Sequence, residues 1–396
     1  MAHAKIDEAL ELFYGGDTAG AQVLLQEVGD GKLEPPAELP PLDEAAFHEA
    51  LGGIRLAAQD APGAIVAFRR MIELEVQGSA DPGGHATSHA KLAEALAVDG
   101  QFEESLALFD KALQMKEQAG AQAGALLGML YRYADVLFHR GRYKEAAEKF
   151  ERALQLAENS DVDPATLANL ALYHAEALKH YTAPLFLSVR MQKEMQGASP
   201  PPQVALLEKQ LEGQYRQAIT GFQRAAELAR NARMDDTFSL QIQRSMAEMH
   251  HDASRFVKAV MARKKLVQQA EAMKVEPREL AFMLHGLGES TKEMNQPAEA
   301  AESFRKAISL KEKSGADGVS QAKTWYALGE CLGASRKLES ALEAFQKALG
   351  LEEAAAATDE NRKSRMKKYA GAVAQVLQVL GKADEAKAAQ EKANAV

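Results

Sequence analysis

The sequence contains a single cysteine, Cys331, among its 396 residues. One thiol cannot form a disulfide within the chain, and no cysteine–histidine cluster offers the ligands of a structural zinc site. The zinc-protease pattern that begins at His48 also fails, because Gly52 stands where the second histidine is needed. We therefore expect a protein of a reducing compartment, the cytoplasm, that holds no metal and no cofactor.

Long apolar runs and an excess of basic residues are also lacking. No segment approaches roughly 18 consecutive apolar residues, and the N-terminal stretch "MAHAKIDE" is already charged. Asp and Glu outnumber Lys and Arg by 56 to 47, so the formal net charge is −9, which disfavours phosphate backbones and anionic lipids. The sequence predicts no signal peptide, no membrane insertion and no nucleic acid partner.

Aromatic residues make up only 6% of the chain, whereas hydrophobic residues make up 46%. Because this mixture is rich in alanine and leucine and poor in the residues that favour strands, we expect an all-α fold. The sequence has no phosphate-binding loop, no glycine motif for a dinucleotide and no nucleophile elbow. We assign no catalytic residues and predict that the protein is not an enzyme.

Helical segments recur with a period of about 41 residues. The phenylalanines that mark this period, one or two periods apart within each half of the chain, are Phe68, Phe109, Phe150, Phe222, Phe304 and Phe345. Each lies in a segment such as "GRYKEAAEKFERAL", which follows another helical pattern such as "YADVLFHRG". This alternation predicts antiparallel helical hairpins whose helices are joined at Gly, Asn or Ser-Arg.

The hairpin resembles the tetratricopeptide repeat, whose signature combines W-x2-L-G-x2-Y with A-x3-F. The fullest copy consists of Trp325, Leu328, Gly329, Leu332, Ala341, Phe345 and Ala348, with Leu332 in place of the usual tyrosine. The long period is similar to that of the long-repeat, kinesin-light-chain-like subgroup. The resemblance implies a right-handed α-solenoid of nine or ten hairpins, in which stacking buries the apolar face of each repeat.

The repeats predict six segments along the chain. They are an N-terminal hairpin (1–32), a proline-rich linker (33–43), the N-terminal half of the array (44–181), an irregular segment (182–212), the C-terminal half of the array (213–353) and a capping hairpin (354–396). An extended, proline-rich linker would leave the first hairpin partly detached. The irregular segment has two interpretations: an extra hairpin with short helices near 184–196 and 202–212, favoured by Pro184 and Pro202, or an insertion between the helices of one repeat.

The resemblance also implies a binding surface, because the first helices of tetratricopeptide hairpins line a concave groove. One residue after the small position of the first helix, the chain has the carboxylates Glu94, Asp135, Glu176, Glu248, Glu289 and Glu330. The neighbouring groove positions hold Tyr131, Phe138, Lys179, Arg244, His251, His285, Lys292 and Tyr326. The implied partner-binding groove is a row of carboxylates edged by aromatic rings, histidines and a few cations.

Such a groove suits a peptide or helix of another protein that carries Lys or Arg, since carboxylates and aromatic rings both attract cations. The interpretation without a binding role is that the carboxylates pair with the groove cations and only keep the groove solvated. These cations are Lys179, Arg244, His251 and Lys292. We expect a scaffold or adaptor, and the alternative is a peptide-sensing regulator that changes superhelical shape on binding. The basic run "NRKSRMKKY" (361–369) offers a further contact for an acidic partner or for self-association.

Three residues of types that often carry chemistry receive structural interpretations. His250 and His251 are adjacent, and adjacent helical residues point about 100° apart, so we expect one to pack and the other to face the groove or solvent. Cys331 has no basic cluster nearby to activate it. We expect a packed thiol rather than a redox-active one.

Overall fold

The structure is a computed structural model that describes residues 2–28, 33–36, 39–78, 81–196, 201–355 and 361–395. These residues form eighteen α-helices and no strand, which confirms the all-α prediction. The helices follow one another as nine hairpins, and the chain divides into two compact units, Met1–Tyr181 (unit 1) and Thr182–Val396 (unit 2). None of the described helices combines the length and the apolar character that a membrane crossing needs.

Unit 1 contains four hairpins and the beginning of a fifth. Its helices are α1 (Ala2–Tyr14), α2 (Thr18–Val28), α3 (Pro41–Ala57), α4 (Ala61–Gln77), α5 (Pro82–Asp99), α6 (Phe102–Gln118), α7 (Ala123–His139), α8 (Tyr143–Glu158) and the first part of α9 (Pro164–Gln196). Odd-numbered helices are the first helices of their hairpins, and even-numbered helices are the second.

Unit 2 contains the end of α9, the second helix that follows it, and four complete hairpins. Its other helices are α10 (Pro202–Asn231), α11 (Asp236–Asp252), α12 (Phe256–Met273), α13 (Pro277–Glu293), α14 (Pro297–Lys313), α15 (Gly318–Ala334), α16 (Leu338–Ala354), α17 (Arg362–Val379) and α18 (Ala383–Ala395). Within each unit, successive hairpins stack on one another as in an α-solenoid.

The turns between α5 and α6, α7 and α8, α11 and α12, α13 and α14, and α15 and α16 each contain one residue in the left-handed backbone region. Gly100 (φ 91°) and Gly141 (φ 74°) occupy this position in unit 1, and glycine adopts such φ values without steric cost. In unit 2 the same position, again one period apart, holds Ser254, Asn295 and Arg336, with φ between 56° and 58°. The predicted junctions at Gly, Asn and Ser-Arg are therefore confirmed, and the left-handed residue ends the first helix.

The small position of the first helix receives the phenylalanine ring of the second helix. A Cβ atom on Gly288 would lie 2.6 Å from the ring of Phe304, and one on Gly329 would lie 2.6 Å from the ring of Phe345. Both rings are buried in a core that continues into the following hairpin. The repeated small residue and the repeated phenylalanine are thus two halves of one contact.

The first hairpin packs on α3, so the expected partial detachment is wrong. A Cβ on Gly53 of α3 would clash with the ring of Phe13 of α1, and Ile6 and Phe47 share one core. The predicted linker is also shorter than expected, because Pro41 opens α3, where a missing N–H has no cost. Residues 37 and 38 of that linker, like 1 and 29–32 of the hairpin, lie outside the described residues.

The described residues of the segment 182–212 extend two existing helices, so the favoured extra hairpin is wrong for them, and residues 197–200 lie outside the described residues. The helix α9 runs for 33 residues through Pro184, and α10 runs for 30. Their added turns bury Val189, Val204 and Leu211 in a small core of their own. This burial offsets the helix-breaking tendency of Pro184. The surplus thus falls between the two helical patterns of one repeat, as in the insertion interpretation, but residues 182–196 and 202–212 of it continue those two helices.

Candidate functional site

Eight predicted groove residues lie on the first helices of unit 2. They are Arg244, Glu248 and His251 on α11, His285, Glu289 and Lys292 on α13, and Tyr326 and Glu330 on α15. Spacings of three, four and seven residues place the members of each set on one helix face. We call this set the unit 2 groove.

These eight side chains line two adjoining cavities. The first, of about 240 Å³, is lined by Arg244, Glu248, His251, His285 and Glu289. The second, of about 310 Å³, is lined by His285, Glu289, Lys292, Tyr326 and Glu330. His285 and Glu289 belong to both cavities, so the fold brings all eight positions into one surface.

Lys292 connects two carboxylates of the groove. Its Nζ lies 3.2 Å from Glu289 on the same helix and 2.9 Å from Glu330 on the next first helix. Burial alone would lower the pKa of Lys292, but Glu289 and Glu330 outweigh burial and raise it. The ammonium group is therefore charged at neutral pH. In this part of the groove the carboxylates are paired with a cation of the chain itself, as in the interpretation that gives them only a solvating role.

The groove histidines act as neutral hydrogen-bonding groups. His251 Nδ1 lies 2.9 Å from Ser290 Oγ, and His285 Nδ1 lies 3.1 Å from Thr324 Oγ1. Burial, reinforced by nearby cations, lowers the pKa of His251 to about 4 and that of His285 to about 3. Neither ring adds positive charge to the groove at neutral pH.

Tyr326 lies at the end of the groove, against the last hairpin. Its ring stacks on Tyr369 of α17, with centroids 4.8 Å apart, and the ammonium group of Lys368 lies 4.4 Å from the ring centroid. Burial, followed by the charge of Glu330, raises the pKa of the Tyr326 hydroxyl. A residue of the predicted basic run, Lys368, thus occupies the cation–π position that the sequence suggested for a ligand.

In unit 1, only Glu94 of the predicted groove residues lines a described cavity. This cavity, of about 680 Å³, also contains Arg132, whose Nη1 lies 3.1 Å from Glu94. Three residues outside the predicted groove, Lys91, Glu49 and Tyr14, also line this cavity and form a mutual hydrogen-bonded cluster. Burial raises the pKa of Glu94, and Arg132 opposes this rise.

The other predicted residues of unit 1 are engaged in packing and local pairing. Tyr131 lies edge-on to the ring of Phe150, and Phe138 lies edge-on to the ring of Tyr143. The remaining pairs are on single helices: Asp135 lies 3.4 Å from His139 on α7, and the buried Glu176 lies 2.9 Å from the buried Lys179 on α9. None of these five predicted residues lines the cavity that contains Glu94.

Arg263 is the groove residue that sequence analysis missed. It lies on the second helix α12, lines the first cavity of unit 2, and is buried. Burial lowers the pKa of its guanidinium. A signal was present, because Arg263 lies one period before Phe304 and occupies the phenylalanine position of the repeat. The resemblance implies groove positions on first helices only, so it gives no groove role to a residue of a second helix.

Cys331, His250 and His251, which are of types that often carry chemistry, lie in surroundings that give them structural roles. Cys331 is wholly buried in the core around α15 and α16, and burial raises the pKa of its thiol to about 11, so the expected packed thiol is confirmed. His250 is buried and lies 2.9 Å from the hydroxyl of Tyr215, whereas His251 lines the groove, as expected for an adjacent pair. Among the described residues, no cluster of His, Cys, Asp and Glu could hold a metal ion.

Comparisons with known proteins agree with this architecture. A family model described as tetratricopeptide repeat matches residues 84–159 and 279–354, which correspond to the hairpins around α5–α8 and α13–α16. A search of curated protein sequences gives no match.

Several solved structures are similar to this chain. The apo form of RapI is 12% identical, with a TM-score of 0.61 over 99% of this chain and 97% of that chain. Aspartyl phosphate phosphatase F from Bacillus subtilis is 12% identical, with a TM-score of 0.50 over 100% of this chain and 93% of that chain. BtubC from P. vanneervenii is 15% identical, with a TM-score of 0.47 over 64% of this chain and 87% of that chain. At these identities the likeness concerns the fold alone. The two family-model matches show that residues 84–159 and 279–354 are tetratricopeptide repeats, and the other described hairpins have the same helical architecture.

Proposed function

We propose that the protein is a non-enzymatic scaffold or adaptor whose unit 2 groove binds a peptide or helical segment of another protein. The observation that carries the proposal is the convergence of eight side chains from α11, α13 and α15 on two cavities that share His285 and Glu289. A surface built from three consecutive repeats is long enough to contact several residues of one segment.

The charges of the groove favour a segment that carries Lys or Arg. Glu248, Glu289 and Glu330 face the two cavities, and Lys292 already bridges two of them. Partly exposed ion pairs of this kind contribute little to stability, roughly 0 to 1 kcal/mol each. A guanidinium or ammonium group of a ligand can therefore replace or extend the contact of Lys292 at small cost.

Capture of partners by the full chain from a native lysate, with identification by mass spectrometry, supplies the segments to be tested. The affinity of a labelled segment is then measured by fluorescence anisotropy for the native chain and for the triple variant Glu248→Gln/Glu289→Gln/Glu330→Gln. Glutamine keeps the shape and removes the charge, so the affinity should fall at least tenfold, and less at high salt. A segment with citrulline in place of arginine should lose affinity for the native chain to a similar degree.

The matched control neutralises three exposed carboxylates on second helices, Glu227, Glu312 and Glu343. This variant should bind like the native chain. Equal affinity of the groove variant and the native chain would place the binding surface elsewhere. The captured partner can also be a second copy of the chain. In that case sedimentation velocity of the same variants, together with a variant that neutralises the exposed Lys363 and Lys367 of the basic run, identifies whether that run is the bound segment.

A peptide-sensing regulator is the second candidate. It is favoured by the division of the chain at Tyr181 and Thr182, inside the continuous helix α9, since one helix links two compact units. Small-angle scattering distinguishes the two functions. A regulator should give different curves with and without a saturating peptide, whereas coinciding curves would exclude it.

A further inference from the structure

A separate cleft of about 620 Å³ lies between α10, α11 and α12. It shares no lining residue with the two cavities of the unit 2 groove. Apolar side chains that line it include Ala226, Ile242, Met246 and Ala262. The cleft therefore offers a surface that is independent of the proposed peptide groove.

The cleft is larger than its counterpart one repeat further along the chain. The equivalent space between α12, α13 and α14 measures about 240 Å³ and is lined in part by Val267, Leu284 and Leu287. These branched side chains lie at the positions where an array normally closes the gap between successive hairpins. The greater volume at α10–α12 is thus a local departure from the repeat.

Two glutamines mark this departure. Gln269 of α12 occupies a position that is otherwise leucine or methionine: Leu74, Met115, Leu156, Leu228, Leu310 and Leu351. Gln243 of α11 lies one period before Leu284 and two periods before Trp325. Both glutamines line the cleft. Polar residues thus replace apolar ones on two of its walls.

The amide oxygens of Gln243 and Gln269 are buried and have no hydrogen-bond partner among the described residues. The nitrogen of Gln243 donates to Ser239 Oγ at 3.2 Å, which orients that amide. An unsatisfied buried acceptor is costly, and folded proteins contain few of them. Two such acceptors on one cleft, at positions where the repeat calls for apolar residues, indicate a surface kept for hydrogen-bond donors that come from outside the chain.

The chemistry of the cleft defines the class of donor. Asp235 and Asp236 balance Arg230 and Lys265 on its lining, so the cleft has no net charge to attract an ion. The small apolar side chains leave room for a backbone to approach, and a carboxamide can pair with both the N–H and the C=O of a peptide unit. We propose that this cleft binds an uncharged peptide segment in extended conformation, and that the half-buried side chains of Gln243 and Gln269 turn toward the cleft to accept hydrogen bonds from its main-chain N–H groups.

The test uses methyl NMR of the full chain, with Ile242 and Met246 as reporters in the cleft. The probe is acetyl-tetra-alanine N-methylamide, and the matched probe is the same peptide with every main-chain nitrogen of the alanines methylated, which removes those donors. The first probe should shift both methyl signals saturably, and the second should bind at least tenfold more weakly. Absence of a saturable shift with the first probe, or equal binding of both probes, would overturn the proposal.

Matched variants test the same point from the protein side. The variant Gln243→Leu/Gln269→Leu restores apolar residues of the other repeats, so it should fold and should bind the probe at least tenfold more weakly. Gln268→Leu, on an exposed neighbour that lines the smaller cleft, should bind like the native chain. Full binding by the double variant would contradict the proposal. The groove variant with three glutamines should still bind the probe, so the two proposals can fail separately.

Discussion

Arg263 of α12 donates a hydrogen bond through Nη1 to the main-chain oxygen of Gly286 on α13. A Cβ atom at position 286 would lie 3.0 Å from that nitrogen, so the glycine makes room for the guanidinium. Arg263 occupies the phenylalanine position of its hairpin and is buried. In this repeat the apolar core contact of the phenylalanine is therefore replaced by a guanidinium group that lines the groove.

The substitution Arg263→Phe tests the cost of this exchange. Phenylalanine restores the apolar contact of the other repeats, which offsets the loss of the donor to the Gly286 carbonyl, so Arg263→Phe should keep the free energy of unfolding within about 1 kcal/mol of the native value. Arg263→Ala should lower it by about 1–3 kcal/mol, because the carbonyl of Gly286 loses its donor and a cavity remains. Urea denaturation of the full chain, followed by circular dichroism, measures both changes.

The adjacent Lys264 provides the control for this comparison. It is exposed and forms a surface ion pair with Glu299 at 2.7 Å. Lys264→Ala should therefore change the stability by less than about 1 kcal/mol. A phenylalanine variant less stable than the alanine variant would contradict the prediction, because it would show that the ring does not fit the position of the guanidinium.

Periodicity predicted most of the helices because one packing contact is repeated. The regular spacing of Phe304 and Phe345, together with Gly288 and Gly329, determines where each hairpin begins and crosses. The same spacing brought the eight residues of the unit 2 groove onto one surface. Position 263 also interrupts this spacing, because it lies one period from both Phe222 and Phe304 and holds an arginine.

Features that depend on contacts outside the period could not be predicted. Pro184 suggested a helix start, but the apolar contacts of Val189 with Val204 and Leu211 continue α9 beyond it. Tyr131 was assigned to the groove, yet it packs against Phe150 of the same hairpin and Tyr173 of the next first helix. Whether such a side chain packs in a core or lies at the surface depends on its neighbours in the fold.

Gly329 and Gly350 should respond to alanine in opposite ways. A methyl group at Gly329 would lie 2.6 Å from the buried ring of Phe345, so Gly329→Ala should lower the free energy of unfolding by about 1–3 kcal/mol. Gly350 lies in α16, and among the described residues no atom beyond its own stretch of helix lies within 4 Å of the position that an alanine methyl group would take there. Alanine at this position should raise the stability by up to about 1 kcal/mol, since it favours the helix. Urea denaturation of both variants checks the prediction, and a change of the same sign in both would contradict it.

The ion pair between Glu352 of α16 and Arg365 of α17 should hold the last hairpin in place. The Glu352 side chain is wholly buried, and one of its oxygens lies 2.7 Å from Nη2 and 3.0 Å from Nε of Arg365. Arg365→Met should lower the free energy of unfolding by about 3–5 kcal/mol, because a carboxylate remains buried without this cation. The measurement is again urea denaturation of the full chain.

The double variant Glu352→Leu/Arg365→Met is the control for this pair. Replacing both charges by apolar groups removes the uncompensated carboxylate, so most of the lost stability should return. If the double variant is no more stable than Arg365→Met alone, the loss comes from packing of the arginine stem and not from the buried charge.

The neutral state of His285 should make stability depend on pH. Burial, aided by Lys311, Lys292, Arg263 and Lys323, lowers the pKa of His285 to about 3, whereas an unfolded histidine has a pKa of about 6.5. Between these values only the unfolded chain binds the proton, so the contribution is complete above about pH 6.5 and is lost as the pH falls toward 3. At pH 5 the loss should reach about 2 kcal/mol. His285→Asn should therefore reduce the change in unfolding free energy between pH 7 and pH 5 by this amount in urea denaturation. His139→Asn, which removes an exposed histidine of α7, should leave the native pH dependence in place, and the same dependence in both variants would exclude this role for His285.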